Sequence, residues 1–379
     1  MMAGHEPPSR GGPGMSHDHR ARLDRAAEAA GSAGFSALVV TPSPDLFYLA
    51  GYDAPVLERL TALVVRAKGD PVLVVPRLEQ PRADASTAGK LVEVTSWADG
   101  GDPNRLIRKL VKDKGRIGVT DRMWAGQLLG LQRALPHVRF RSAAKVLSPL
   151  RAVKDRGEVD LLRRAARGAD RTFAAVTSGG LLGRTEAEVG RALADGLLAN
   201  AHESVAFTIV GSGPNGASPH HDTGRRRIQR GDAVVLDFGG RVGGYCSDVT
   251  RTVTVGGPNA RVVEVHAVVQ EAQEAAFRAA GPGVPAEEVD RAARTVIAGA
   301  GYGEAFIHRT GHGIGLEEHE EPYIVAGNDH PLEPGNCFSI EPGIYLQRRF
   351  GVRIEDICAI TETGCERLNR APRELRVIG

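Results

Sequence analysis

Two stretches of this chain place pairs of carboxylates in segments that otherwise read as buried β hairpins. The first runs from Ala233 to Thr250, with Asp237 and Asp248 flanking a glycine-rich turn between Gly239 and Gly244. Pairing of the strands about the middle of that turn sets the two aspartates opposite each other. Opposed residues have Cβ atoms ~4.5–5.5 Å apart, and like charges there are destabilising. Asp is also a poor strand former. The second stretch, Phe338 to Asp356, centres Glu341 and Glu355 on Gln347–Arg349 in the same way. Four carboxylates on two hairpins need cations to offset their repulsion. One divalent ion would leave two negative charges, whereas two ions neutralise the set. A nitrogen ligand is available from His308, His312 or His319, in a stretch whose glycines let backbone approach a ligand closely.

The two hairpins sit in a repeated frame. A long charged helix is expected over Lys154 to Val176, and another begins at Thr185, where Thr185 and Glu188 fit a capping box. Strands follow at Val205–Val210, Ala233–Phe238 and Tyr245–Val255. The order then recurs, with helices at Ala260–Ala279 and Pro285–Ala300. Strands follow around Phe306, at Cys337–Ile340 and at Val352–Thr361. Gly183, Glu188, Val189, Arg191 and Ala192 return one hundred positions later as Gly283, Glu288, Val289, Arg291 and Ala292. Each half therefore ends in a hairpin with two acidic residues.

The first part of the chain has a different grain. Arg20–Gly31 has helical spacing, Ala37–Val40 reads as a buried strand, and Leu60–Val65 with Pro71–Val75 reads as a hairpin around Lys68–Asp70. A helix at Asn104–Lys112, a strand at Arg116–Val119 and a helix at Trp124–Leu135 complete a small α/β domain. Ser148–Pro149 reads as its boundary. The expected organisation is a flexible polar tail over 1–16, an α/β domain over 17–148 and an α+β domain over 149–379. His5, His17 and His19 in or beside the tail read as incidental.

Composition removes several function classes. With 48 basic and 46 acidic residues the net charge is +2. That gives no general electrostatic case for nucleic acid or acidic membranes. No run approaches ~18 consecutive apolar residues, so no membrane span is expected. The N-terminus lacks the apolar core of a signal peptide. Cys246, Cys337, Cys358 and Cys365 form no CxxC pair, and they read as buried free thiols in a reducing cytoplasm.

The ordered set of Asp237 and Asp248, His312 within Gly-His-Gly-Ile-Gly, Glu341 before Pro-Gly, and Arg353 with Glu355 resembles a known family. It is similar to the creatinase, aminopeptidase P and methionine aminopeptidase superfamily of pita-bread dinuclear metallopeptidases. Within it, the chain looks like the proline-specific branch of Xaa-Pro dipeptidases (prolidases) and Xaa-Pro aminopeptidases. The resemblance is strong over Lys154–Glu362 and weaker over His19–Leu147, which looks like that branch's creatinase-type N-terminal domain. It implies a metal-ligand set of Asp237, Asp248, His312, Glu341 and Glu355. Asp248 and Glu355 would bridge the ions, Asp237 would complete one site, and His312 with Glu341 the other. It also implies active-site roles for His220, His308, His319 and Arg353, with Tyr345 in support. Asp45 matches, more weakly, an acidic residue that some aminopeptidases P use across a subunit interface; a strand-edge turn is the alternative there.

On this resemblance Glu341 shuttles a proton, His220 donates to the developing charge, and His308 shapes a proline pocket. Arg353 and the His319 loop would offer donors to a free proline carboxylate. Such a pocket is needed because the bond before proline lacks the N–H that most peptidases read. The cofactors implied are two divalent ions per subunit. Four carboxylates and one His favour Mn²⁺, with Co²⁺ or Zn²⁺ as alternatives. A cytoplasmic homodimer acting on Xaa-Pro peptides follows. An Xaa-Pro dipeptidase stands first, an Xaa-Pro aminopeptidase acting on longer peptides second, and a non-catalytic peptide-binding module last, since no ligand is lost.

Overall fold

The computed structural model describes residues 18–257 and 259–379. The expected tail over 1–16 lies outside them. The chain divides into two units, the first ending at Val146 and the second spanning Leu147–Gly379.

In the first unit six strands form one mixed sheet: β1 (Ala37–Val40), β2 (Ala62–Arg66), β3 (Val72–Pro76), β4 (Glu93–Trp97), β5 (Gly115–Val119) and β6 (Val138–Ser142). Their order is β4-β3-β2-β1-β5-β6. The apolar runs are continuous because both faces are covered, so β1 and β3 are buried along their whole length. The helices are α1 (His19–Ser32), α2 (Pro44–Ala50), α3 (Gln80–Ala85), α4 (Thr87–Leu91), α5 (Pro103–Leu110) and α6 (Ala125–Ala134). Val39, Val64, Val74, Ile117 and Leu131 share one core. Asp45 is not at a strand-edge turn. It lies in the first turn of α2, which Ser43 caps through the Leu46 amide.

Helix α7 (Ala144–Ala152) runs through Pro149, so the boundary expected at Ser148–Pro149, two residues from the division between Val146 and Leu147, falls inside a helix and not in a loop. Burial of Ala143, Val146, Leu147 and Arg151 outweighs the hydrogen bond that proline removes.

The second unit carries the duplication. Helices α8 (Arg156–Ser178) and α9 (Glu186–Ala199) precede β7 (Ser204–Ser212), β8 (Ala233–Val242), β9 (Tyr245–Cys246) and β10 (Val249–Val255). Helices α10 (Ala260–Ala279) and α11 (Ala286–Gly299) precede β11 (Gly311–Gly313), β12 (Glu320–Ile324), β13 (Cys337–Ile340), β14 (Gly343–Leu346), β15 (Phe350–Arg353), β16 (Asp356–Thr361) and β17 (Gly364–Arg367), and the last strand is β18 (Arg376–Ile378). Capping boxes open α8 at Asp155 and α9 at Thr185. The first half builds the sheet β18-β10-β8-β7, and the second builds β12-β11-β13-β16-β17. Each half has its own core. Phe173, Val189, Leu193, Leu236 and Phe238 form one. Val265, Val289, Ile297, Phe338 and Ile360 belong to the other.

The halves join where Thr250 and Glu355 make an antiparallel bridge. Buried Arg251 seals that seam through Asp356, at 2.6 Å. Phe306 is not in a strand; it follows a 3₁₀ turn at Gly303–Ala305 and is held in the core under the Arg294 guanidinium. Among the described residues, no helix is long and apolar enough to cross a membrane.

Candidate metal centre and active site

The first acidic hairpin turns at Gly243 and Gly244, whose φ values are +59° and +85°. Two positive φ angles make a two-residue turn that glycine favours and that fixes the register. Val242 pairs with Tyr245 and Asp237 with Thr250. The expected direct opposition of Asp237 and Asp248 is therefore corrected, because the turn is centred one residue later. Asp248 sits in a break between β9 and β10. The preceding Ser247 is pinned by His202 Nε2 at 2.8 Å and by the Gly240 amide at 3.0 Å. The break needs Gly239, where a Cβ would lie 2.1 Å from the Ser247 carbonyl oxygen.

The second hairpin keeps one register throughout. Gly343 pairs with Arg353 and Ile340 with Asp356, so the hairpin centres on Arg348. Glu341 and Glu355 fall in the gap between these two ladders, in register with each other. Strand pairing stops there, and the carboxylates leave the ladder at the seam between the halves. The single expected strand over Val352–Thr361 is thus two strands, and the interruption carries Glu355.

The acidic groups converge. Ligand atoms of Asp248, His312 and Glu355 all lie within 4.8 Å of one another. His312 Nε2 is 3.2 Å from Glu341 Oε1 and 3.8 Å from Asp248 Oδ2. Its Nδ1 lies 3.1 Å from the Gly313 carbonyl. A proton on Nδ1 would donate there and leave the Nε2 lone pair facing the carboxylates, as a metal ligand requires. Asp237 pairs with Arg353 through Oδ2. Buried Oδ1 atoms of both Asp237 and Asp248 have no hydrogen-bond partner among the described residues.

These groups do not sit comfortably without a cation. Burial, then repulsion from Glu355, Asp237 and Glu341, holds the Asp248 carboxyl well above its ordinary range. Burial, then Glu341 and Asp237, does the same to Glu355. Asp237 is also raised by burial, with Arg353 opposing the rise. Glu341 goes the other way, because the hydrogen bond and charge of His312 outweigh its burial. Orphaned oxygens, buried like charges and one imidazole lone pair make a donor set that fits hard divalent cations.

The surrounding side chains divide into two kinds. His308 Nε2 lies 2.8 Å from Tyr345 Oη, and its Nδ1 lies 2.7 Å from the Arg309 carbonyl. With both nitrogens engaged and burial lowering its pKa, it is a neutral wall of the site. Arg353 is buried and donates to Asp237, to Tyr345 Oη at 2.8 Å and to Thr250 Oγ1 at 3.1 Å. These bonds tie it to the frame of the site. His319 and His220 are exposed. The His319 ring centroid lies 4.0 Å from that of His312. Partial burial, then the charge of His312 and Arg309, lowers the His319 pKa to about 4. His220 lies in the turn after Gly213–Ala217, next to Pro219, whose carbonyl accepts from Arg353 Nη1 at 3.5 Å.

Sequence reasoning missed the groups that hold these loops. Thr250 donates to Glu355 Oε2 at 2.6 Å. Glu186, wholly buried at the start of α9, accepts from Ser212, Asn215 and His221 and so ties the His220 loop to the helix. Asp290 of α11 accepts from the Thr310 amide at 3.0 Å, and Arg294 donates to the His308 carbonyl at 2.5 Å. Glu186 stands in the first turn of α9 and Asp290 in the second turn of α11, and nothing local says which of the acids on these helices turns inward.

Comparison with known proteins agrees with this geometry. Residues 160–362 match the model for metallopeptidase family M24, and residues 22–153 match the creatinase/prolidase N-terminal domain. A protein of Mycobacterium bovis named probable dipeptidase PepE is 49% identical over 360 residues, covering 94% of this chain and 96% of that protein. An Xaa-Pro dipeptidase of Pyrococcus furiosus is 36% identical over 304 residues, covering 80% and 85%. The crystal structure of dipeptidase PepE from Mycobacterium ulcerans superposes with a TM-score of 0.91 at 49% identity, covering 95% of this chain and 98% of that one. With more than half its length matched by the family model and near-complete relatives at these identities, the chain belongs to metallopeptidase family M24 and is a peptidase.

Proposed function

We propose that this peptidase is an Xaa-Pro dipeptidase, with two divalent ions held by Asp237, Asp248, His312, Glu341 and Glu355. The observation that carries the metal assignment is the convergence of Asp248, His312 and Glu355 around orphaned carboxylate oxygens. The Xaa-Pro dipeptidase and dipeptidase names among its relatives support the substrate class. Mn²⁺ is the proposed metal, because four of the five ligands are hard oxygens. A reducing, cytoplasmic setting agrees with four free cysteines, three of them buried. A homodimer is proposed from the family resemblance.

Bound ions of this kind would polarise the scissile carbonyl and supply a nucleophile from water near neutral pH. The chain's own residues do the rest. Glu341 Oε1 accepts from Ser339 Oγ at 3.3 Å and faces His312, which leaves Oε2 to take a proton and return it to the departing proline nitrogen. Arg353 and Thr250 orient Asp237 and Glu355. His308 and Tyr345 wall the site. The family resemblance supports His220 as the donor to the oxyanion. His220→Ala should therefore keep the metal content while lowering kcat by ~10²–10³-fold, the range for removing one such donor. Loss of bound metal in this variant would reassign His220 as a ligand.

The substrate reading is tested by comparing kcat/KM for Leu-Pro and Leu-Pro-Ala at equal Mn²⁺ loading. Leaving a charged donor unpaired with the longer peptide costs ~1–3 kcal/mol, or about five- to a hundred-fold. Equal values, or a preference for the tripeptide, would move the assignment to an Xaa-Pro aminopeptidase.

A further inference from the structure

The ligand His312 stands in the run Gly311-His-Gly-Ile-Gly315, and the metal centre accounts for only part of it. A Cβ on Gly315 would lie 2.4 Å from Glu320 Oε1 and 3.0 Å from Lys154 Cε. A side chain there would displace an ion pair, so the glycine makes room for it. Glu320 opens β12, where it pairs with Gly313. Its buried carboxylate lies 2.6 Å from Lys154 Nζ and also accepts from Arg151. Arg151 Nη2 is in turn 2.7 Å from Glu317 Oε2. Arg151 stands in the last turn of α7, and Lys154 in the segment between α7 and α8. The Lys154 amide donates to the Gly335 carbonyl at 2.9 Å, which fixes that segment.

The other side of His319 is held as well. Glu318 accepts from Arg241 Nη2, on β8, at 2.8 Å. The Gly315 carbonyl accepts from the Cys246 amide at 2.8 Å, and the Gly315 amide donates to the Glu317 carbonyl at 3.1 Å. Within Glu317–Glu320, the acids are thus tied to cations carried by other elements, and their negative charges are balanced beside an already acidic cluster. His319 is the exposed member of this run, and its ring centroid lies 4.0 Å from that of His312. An exposed imidazole has little packing of its own to fix it. Where its ring can reach is set by the backbone on either side, and a group acting on a substrate loses rate steeply when it is misplaced by about 1 Å.

We propose that Glu320, held by Lys154 and Arg151, and Glu318, held by Arg241, are positioning residues that fix the backbone on both sides of His319 and so hold its imidazole beside His312 for contact with the substrate. The inference rests on the reading above, in which His319 is an active-site residue of a dipeptidase. The test uses Mn²⁺-loaded wild type, Glu318→Gln, Glu320→Gln and His319→Ala with Leu-Pro as substrate. Each glutamine variant should lower kcat/KM by ~10–100-fold. The Arg241–Glu318 pair is partly exposed and adds little to stability, so Glu318→Gln should melt with wild type. Glu320→Gln strands a buried lysine and should melt lower; if it fails to fold, Glu318→Gln decides alone. In a His319→Ala background, Glu318→Gln should change kcat/KM by less than about threefold, because its effect runs through that ring. A readout independent of turnover is the His319 ring resonance in protein loaded with diamagnetic Zn²⁺, identified by its loss in His319→Ala. It should carry a ring-current shift from His312 in wild type and lose it in Glu318→Gln. Wild-type activity in Glu318→Gln, an undiminished further loss in the His319→Ala background, or an unmoved His319 resonance would overturn the positioning role. A fully active His319→Ala would overturn this inference and leave the dipeptidase reading standing. A wild type inert on Leu-Pro would overturn that reading, while the ring resonance still decides the positioning.

Discussion

Replacing Glu341 by Gln is expected to lower kcat by ~10²–10⁴-fold, with a much smaller change in KM. That range is typical for a general acid–base group. Glutamine is nearly the same size and keeps one oxygen that Ser339 Oγ, now at 3.3 Å, can still reach. It cannot accept a proton, and the amide removes one negative charge from the set around His312. The imidazole, 3.2 Å from Oε1, would then face a neutral group. Two measurements separate these effects. Metal stoichiometry reports the lost charge, and kcat at full metal occupancy reports the lost proton shuttle. A fully loaded variant turning over within a few-fold of wild type would remove Glu341 from the proton path.

What could be read in the sequence follows from how local the physics is. The hairpin of Glu341 and Glu355 was legible because the midpoint of the two residues coincides with the observed turn. The hairpin of Asp237 and Asp248 was legible as a pair but not in register. Several glycines compete for its turn, and Gly243–Gly244 wins because it satisfies two successive positive φ angles. The break that displaces Asp248 depends on His202 and Ser247, which are 45 residues apart and meet only in the fold. Arg353 was marked as an active-site residue, but its three-way commitment to Asp237, Tyr345 and Thr250 is purely tertiary.

Both loops beside the acidic cluster are held from behind by an acidic residue on the second helix of each half. Glu186 of α9 ties the His220 loop, and Asp290 of α11 ties the His308 loop. The two helices begin and end one hundred positions apart, yet the anchoring acids stand at different turns. The two halves thus reached similar support for their loops by different side chains.

Removing the metal should abolish hydrolysis, and Mn²⁺ should restore it. The larger signature is expected in stability. The apo protein holds Asp248 and Glu355 with pKa values well above the ordinary carboxylate range, through burial and mutual repulsion. In the unfolded chain the same groups titrate near pH 4. Above that pH the unfolded state has released protons that the apo fold retains, so apo stability falls as pH rises from about 4 through the raised values. Divalent ions reverse this, because they bind the ionised carboxylates and the neutral His312. The gain on adding Mn²⁺ should therefore grow with pH. Saturation at ~100 times Kd gives about 2.7 kcal/mol, or a rise in Tm of roughly 5–10 °C for a domain of this size. Calorimetry of chelator-treated and reconstituted protein at pH 5 and pH 8 measures both effects. A shift that is absent, or larger at pH 5 than at pH 8, would mean that these carboxylates are not the ligands. Full activity in thoroughly metal-free protein would remove the dinuclear centre altogether.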